Sequence, residues 1–184
     1  MAETQARVGI EVRETDWLRA THDVARFVFR GDAQARRSAG TVLGAPLSDV
    51  TGRAAVHQAR AALSLGPDEH LLIVPESEAT TFPAELSAVL SGLPHSLVDV
   101  SHRQAAFELR GPHAEWLLAA GCPLQLDRDA FPVGACTRTV FAKAEIVLWR
   151  VAPDALRIEV ARSYCRYVVD LLGEVAHELP RGDT

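Results

Sequence analysis

Hydrophobic and polar positions alternate with a period of two in four stretches of the chain. Val8, Ile10 and Val12 alternate with Arg7, Gly9, Glu11 and Arg13, and Phe27 and Phe29 with Arg26, Val28 and Arg30. Further on, Ala105, Phe107 and Leu109 alternate with Gln104, Ala106, Glu108 and Arg110, and Leu156, Ile158 and Val160 with Arg157, Glu159 and Ala161. Successive side chains of a strand point to opposite faces, so each stretch predicts a half-buried strand in an antiparallel sheet with one face covered. Ala144 to Val151 predicts one more strand. The spacing turns helical at Tyr164, Val168, Leu171, Leu172 and Val175, which form one apolar stripe.

The punctuation agrees. Asp32 can accept backbone N–H bonds at the start of a first helix, and Pro112 suits the first turn of a second, where its missing N–H costs nothing. Gly66-Pro67-Asp68 and Ala152-Pro153-Asp154 read as hairpin turns leading to later helices. Pro83 would interrupt an earlier start, so one of these helices is predicted to begin near Thr81. Gly92-Leu93-Pro94 breaks the chain, and Ser96 to Val100 opens its second half.

These signals recur in the same order. Ala25-Arg26-Phe27-Val28-Phe29-Arg30-Gly31 lies over Ala105-Ala106-Phe107-Glu108-Leu109-Arg110-Gly111, Gly44-Ala45-Pro46-Leu47 over Gly121-Cys122-Pro123-Leu124, and Leu65-Gly66-Pro67-Asp68 over Val151-Ala152-Pro153-Asp154. The expectation is an α+β fold of two tandem β-β-α-β-β-α pseudo-repeats, residues 7–92 and 95–178, within one compact domain of residues 1–184 that ends in a flexible tail, 179–184. The copies differ in one place. Ser48 to Val50 separates Pro-Leu from Thr51 in the first, whereas the much longer Gln125 to Cys136 separates Pro-Leu from Thr137 in the second. That loop carries Leu126, Phe131, Pro132 and Val133. Long loops are often functional, and the plain alternative is that this one packs back on its own domain.

Composition narrows the function classes. An apolar share of 48% suits a globular chain. A net charge of -5 speaks against nucleic acid, which calls for a basic face. Arg26, Arg30, Arg36 and Arg37 are the one basic cluster, read as a solvated face. No apolar run reaches membrane-spanning length, and the start shows no signal peptide. The 3 cysteines, Cys122, Cys136 and Cys165, are odd in number and widely spaced, which suits neither disulfides nor zinc and points to a reducing cytoplasm.

Candidate chemistry is thin. Asp99-Val100-Ser101-His102 holds the residue types of a hydrolase triad, but a strand would turn His102 away from Asp99 and Ser101, so a turn is the better reading. Cys165 lies near a helix start, where a thiol can be activated, although a structural role is favoured for all the cysteines. His22, His57, His70, His95, His102, His113 and His177 make no i, i+4 or His-x-His pair. Trp116 and Trp149 read as core or interface packing.

From Asp99-Val100-Ser101-His102-Arg103-Gln104 through Phe107-Glu108-Leu109-Arg110-Gly111-Pro112, the chain resembles the gamma subunit family of heterotetrameric sarcosine oxidase. Gly121-Cys122-Pro123-Leu124, Lys143 to Arg150 and Glu159-Val160-Ala161-Arg162-Ser163 extend the resemblance over roughly residues 95–175. The family is similar in fold to aminomethyltransferase (glycine-cleavage T-protein) and YgfZ-type folate-binding domains. Where the aminomethyltransferases have glycines and an acidic pair that works at the folate, this chain has Phe141-Ala142 and Ala144-Glu145, with one acid and neither glycine.

The resemblance implies an accessory, non-catalytic subunit in a complex that oxidatively demethylates sarcosine to glycine, hydrogen peroxide and 5,10-methylenetetrahydrofolate. It implies FAD, FMN, NAD and tetrahydrofolate in the partner subunits and none in this chain. The implied partners are the alpha, beta and delta subunits, mainly alpha. Leu126, Phe131, Val133 and Arg138 are the candidate contact residues. The alternatives are a free-standing tetrahydrofolate-binding aminomethyltransferase-like protein, or the same accessory role in a related amine or imino-acid dehydrogenase.

Overall fold

A computed structural model describes residues 14–178. The strand expected over Val8 to Val12 and the tail 179–184 lie outside the described residues. The elements in order are β1 (Leu18–Thr21), β2 (Val24–Gly31), α1 (Ala33–Leu43), β3 (Ala54–His57), β4 (Arg60–Ser64), β5 (Glu69–Pro75), α2 (Thr81–Val89), β6 (His95–Asp99), β7 (Gln104–Arg110), α3 (Ala114–Ala119), β8 (Cys136–Phe141), β9 (Ala144–Ala152), β10 (Ala155–Ala161) and α4 (Arg162–Ala176). A 3-10 turn, Glu76–Glu78, precedes α2.

Two 5-stranded sheets form, with orders β6-β2-β5-β4-β3 and β1-β7-β10-β9-β8. The duplication is visible in these orders, because each strand of one sheet has its counterpart at the same place in the other. The first strand of each repeat is exchanged: β1 pairs with β7, and β6 pairs with β2, both antiparallel. Neither sheet is therefore built from consecutive sequence. One compact unit holds the described residues up to Thr21, Gln104–Val133 and Arg138 onward; the other holds His22–Arg103 and Gly134–Thr137. Each repeat also gains a strand over the expected pattern, β3 in the first and β8 in the second. Ala54-Ala55-Val56-His57 is a short edge strand without a buried residue, so no apolar alternation marks it.

In the unit built on β2, one core packs Phe27, Phe29, Leu72 and Val74 of the sheet against Ala35, Ala39 and Leu43 of α1 and Phe82 and Leu86 of α2. Burying each of these phenylalanines contributes about 1.5–3 kcal/mol. The rings of Phe27 and Phe82 lie 5.9 Å apart. The central strands differ from the expected half-buried pattern, because Leu71 and Ile73 on the opposite face of β5 are buried too. In the other unit, β10 is buried from Ala155 to Val160. A strand with both faces covered reads as a continuous apolar run, and the charged Arg157 and Glu159 within β10 satisfy each other, Nη2 to Oε1 2.7 Å.

The local signals act as their chemistry dictates. Asp32 Oδ1 accepts the N–H groups of Gln34 and Ala35, each at 2.9 Å, and caps α1. α2 begins at Thr81, and both predicted hairpins form. Pro112 precedes α3 rather than entering its first turn, since the helix starts at Ala114. On α4 the buried stripe is Cys165, Val168 and Leu172, while Tyr164 faces solvent. Gly44 closes α1 at φ 84°, and a Cβ there would come within 2.6 Å of the His57 ring at the end of β3. Gly121, after α3, would likewise meet the Phe141 ring at the end of β8, at 2.8 Å. The repeated glycine thus makes room in both copies for the last side chain of the added edge strand.

Candidate functional site

The segment joining α3 to β8 is where the two copies diverge, and it is ordered by its own polar groups. Asp127 Oδ1 accepts the N–H groups of Asp129 and Ala130, each at 3.1 Å, and Phe131 N–H donates to Asp127 O at 2.9 Å. These bonds close a compact turn. The Ala130 N–H above all, and the Gln125 side chain after it, hold the Asp127 carboxyl below its usual range.

The anchor of the segment is Arg150, near the end of β9. In the sheet register Leu18 faces Leu109, Leu109 faces Leu156, and Leu156 faces Arg150. A guanidinium therefore completes an apolar row, and it is fully buried. Its Nε donates to Phe131 O at 2.6 Å and its Nη1 to Pro153 O at 2.9 Å, while Nη2 donates to Leu126 O. Glu115 of α3 supplies the countercharge, Oε1 to Nη1 2.9 Å. The planar fork of arginine matches this divergent set of acceptors, which a single ammonium could not reach together. Arg150 was not singled out as a site residue in the sequence, although a signal existed. Ile146, Leu148 and Arg150 share one face of the strand, so a charge stands at a core position.

The four candidate contact residues separate into two pairs. Leu126 and Phe131 are buried, at 5% and 7% exposure, with their carbonyls held by Arg150. Val133 is 53% exposed. Arg138 on β8 is partly exposed, and its Nε lies 3.6 Å from Oε1 of Glu145 on β9. Beyond Val133 the chain turns at Gly134, φ 85°, and Gly134 O accepts Ala54 N–H at 2.8 Å.

The other candidates resolve into structure. Asp99 Oδ1 accepts Ser101 N–H at 2.8 Å, and Ser101 Oγ accepts Arg26 N–H at 2.9 Å, so the Asp-Val-Ser-His stretch is a turn between β6 and β7. Cys165, in the first turn of α4, is fully buried, and burial pushes its thiol up despite Arg162. Burial likewise pushes the Cys136 thiol up to about 12. The early arginines disperse: Arg26 is buried, Arg30 pairs with Asp68 and Glu69, and Arg36 Nη1 donates to Pro67 O at 2.6 Å. Trp149 is buried, whereas Trp116 on α3 is exposed, as are Tyr164 and Tyr167 on α4. Among the described residues no helix is long and apolar enough to cross a membrane.

Residues 30–178 match the model of the sarcosine oxidase, gamma subunit family. The chain belongs to that family. It is 32% identical over 150 residues to the sarcosine oxidase subunit gamma of Arthrobacter sp, covering 79% of this chain and 71% of that one. Among solved structures, a chain of heterotetrameric sarcosine oxidase from Corynebacterium sp. U-96, in complex with pyrrole 2-carboxylate, matches with a TM-score of 0.83 and 25% identity, covering 100% of this chain and 94% of that one. The aminomethyltransferase T of the Bartonella henselae glycine cleavage system shares the fold, with a TM-score of 0.63 and 14% identity over 84% of this chain and 44% of that one. The Glu145 side chain is 73% exposed and turned to Arg138 on a surface hairpin.

Proposed function

We propose that this chain is the accessory gamma subunit of a heterotetrameric sarcosine oxidase and performs no chemistry of its own. The observation that carries this reading is the match to a chain of the Corynebacterium enzyme over the whole of this chain. Heterotetrameric assembly implies further subunits, and the reading assigns the redox work to them: FAD, FMN and NAD for oxidative demethylation, and tetrahydrofolate for the one-carbon unit. The folded chain is consistent with a docking body. The thiols of Cys136 and Cys165 are buried and shifted away from the nucleophilic form, and the serine of the triad-like stretch is occupied in a turn.

The alpha subunit is the proposed main partner. Of the segment between α3 and β8, Val133 and the neighbouring Arg138 of β8 offer side chains to it, while Leu126 and Phe131 support the segment from beneath. Co-expression with the alpha, beta and delta subunits tests the reading. A stable flavin complex that lacks this chain, or that has full sarcosine oxidase activity without it, would overturn the proposal.

A further inference from the structure

The connection from Ser48 to Arg53 and the strand β3 after it form a thin flap on the first sheet. β3 has no buried side chain, and Val50 and Val56 are exposed. Backbone bonds fix the flap around Gly52: Gly52 N–H donates to Ser64 O at 2.8 Å, Ser64 N–H to Arg53 O at 3.0 Å, and Cys136 N–H to Gly52 O at 3.0 Å. Its root is held from the core. Ser48 O accepts Ser64 Oγ at 3.1 Å and His70 Nε2 at 2.8 Å, and both donor side chains are fully buried. The second repeat has no titratable anchor of this kind. His70 faces Ser64 across β5 and β4 as Leu156 faces Arg150 across β10 and β9. There the carbonyls after the first helix are held by a guanidinium, which keeps its charge at all ordinary pH.

We propose that His70 is a proton-operated latch on this flap, closed while the imidazole is neutral and released when it takes a second proton. The geometry sets the direction. Nε2 donates to Ser48 O, so it carries the one proton of the neutral ring, and Nδ1 has no hydrogen-bond partner among the described residues. A second proton on Nδ1 would be a buried charge without an acceptor. The Phe29 ring of β2 lies 6.3 Å away, and the Ser64 hydroxyl of β4 lies 3.4 Å from Nε2, on the other nitrogen. Of the charged groups around the ring, Arg36 of α1 repels a second proton. Asp68 and Glu69 favour it, but both are engaged by Arg30 of β2. Burial is the largest influence and holds the pKa below its usual value. Lifting Ser48 away opens the ring to water, where it takes up the proton at ordinary affinity. A flap that buries little apolar surface can open without unfolding the sheet behind it.

Native-state hydrogen exchange on the full chain, followed with pH and divided by the intrinsic exchange rates, tests the latch. The Gly52 amide should exchange by a local opening, with protection lower than that of Val28 in the central strand β2. If that opening frees His70, the opening constant at Gly52 should rise about tenfold from pH 7.5 to pH 5.5, the factor for a group of pKa about 6.5 in the open form and well below in the closed one. His70→Gln keeps a side-chain N–H for Ser48 O and cannot titrate, so its Gly52 profile should be flat. A wild-type opening constant at Gly52 that does not change with pH overturns the inference. So does protection of Gly52 equal to that of Val28 throughout, which would mean that the flap opens only when the whole unit unfolds. A slope that survives in folded His70→Gln assigns the proton to another group and also overturns it. If His70→Gln does not fold, the wild-type profile alone decides on the first two outcomes.

Discussion

Arg150 and Glu115 meet at 2.9 Å, one side chain fully buried and the other 37% exposed. The pair joins α3 to β9 and neutralises the one guanidinium that stands in the apolar row of its sheet. Breaking a buried pair from one side leaves the remaining charge uncompensated. Glu115→Gln should therefore destabilise the chain by about 1–2 kcal/mol, since partial solvent access softens the loss. Arg150→Met should cost about 3–5 kcal/mol, because it also strands the two buried carbonyls of Leu126 and Phe131. Urea unfolding of the two variants checks the order. Equal stability of Glu115→Gln and wild type would show that the carbonyls alone balance the charge.

His70 predicts an acid-side loss of stability. Its Nε2 lies 2.8 Å from Ser48 O, so that nitrogen carries the proton, and its Nδ1 has no hydrogen-bond partner among the described residues. Burial lowers its pKa from the usual 6.5, against the Ser48 bond, with Arg36 also lowering it and Asp68 and Glu69 raising it. A second proton would put a charge and an unpaired N–H into the core. The unfolded chain takes up this proton first as pH falls. The stability from neutral His70 is thus complete above about pH 6.5 and declines below it, at up to about 1.4 kcal/mol per pH unit. His70→Leu copies Leu156, its counterpart in the second repeat. The variant should flatten the slope of stability against pH between 6.5 and the folded pKa, measured by urea unfolding across that window; an unchanged slope assigns it to other groups.

The cap on α1 is local and separable. Asp32→Ala removes the acceptor of two N–H bonds and should cost about 1 kcal/mol, with Asp32→Asn recovering most of it. Thermal melting of the pair is sufficient, and equal losses in both variants would mean that charge rather than geometry is at work.

The thiols should be quiet. Cys136 and Cys165 are fully buried with raised pKa values, so in the folded chain they should react with a thiol reagent at mildly alkaline pH far more slowly than a free cysteine. All 3 cysteines should react promptly in denaturant. A fast-reacting Cys165 in the folded chain would return it to the list of functional candidates.

Calorimetric titration with tetrahydrofolate separates the accessory reading from a free-standing folate protein. Because Glu145 is exposed and paired with Arg138, the isolated chain should give no heat of binding at micromolar ligand. Saturable binding there would favour the aminomethyltransferase-like alternative.

Much was legible in the chain itself. The alternation around Phe27 and Phe107, the cap at Asp32, the Pro-Asp hairpins and the recurrence of Gly-x-Pro-Leu are short-range signals, because periodicity, caps and turns depend on neighbours in sequence. They determined the elements, their duplication and, through Asp99 to Gly111 and the segments after it, the family. The exchange of β1 and β6, the added edge strands and the burial of both faces of β5 and β10 were decided only in three dimensions, since strand partners lie far apart in sequence and edge strands carry little pattern. The same holds for the segment between α3 and β8. Its sequence shows an apolar load in Leu126, Phe131 and Val133, but not which of them the fold buries. That sorting depends on where the carbonyls meet Arg150, a long-range relation that no local pattern encodes.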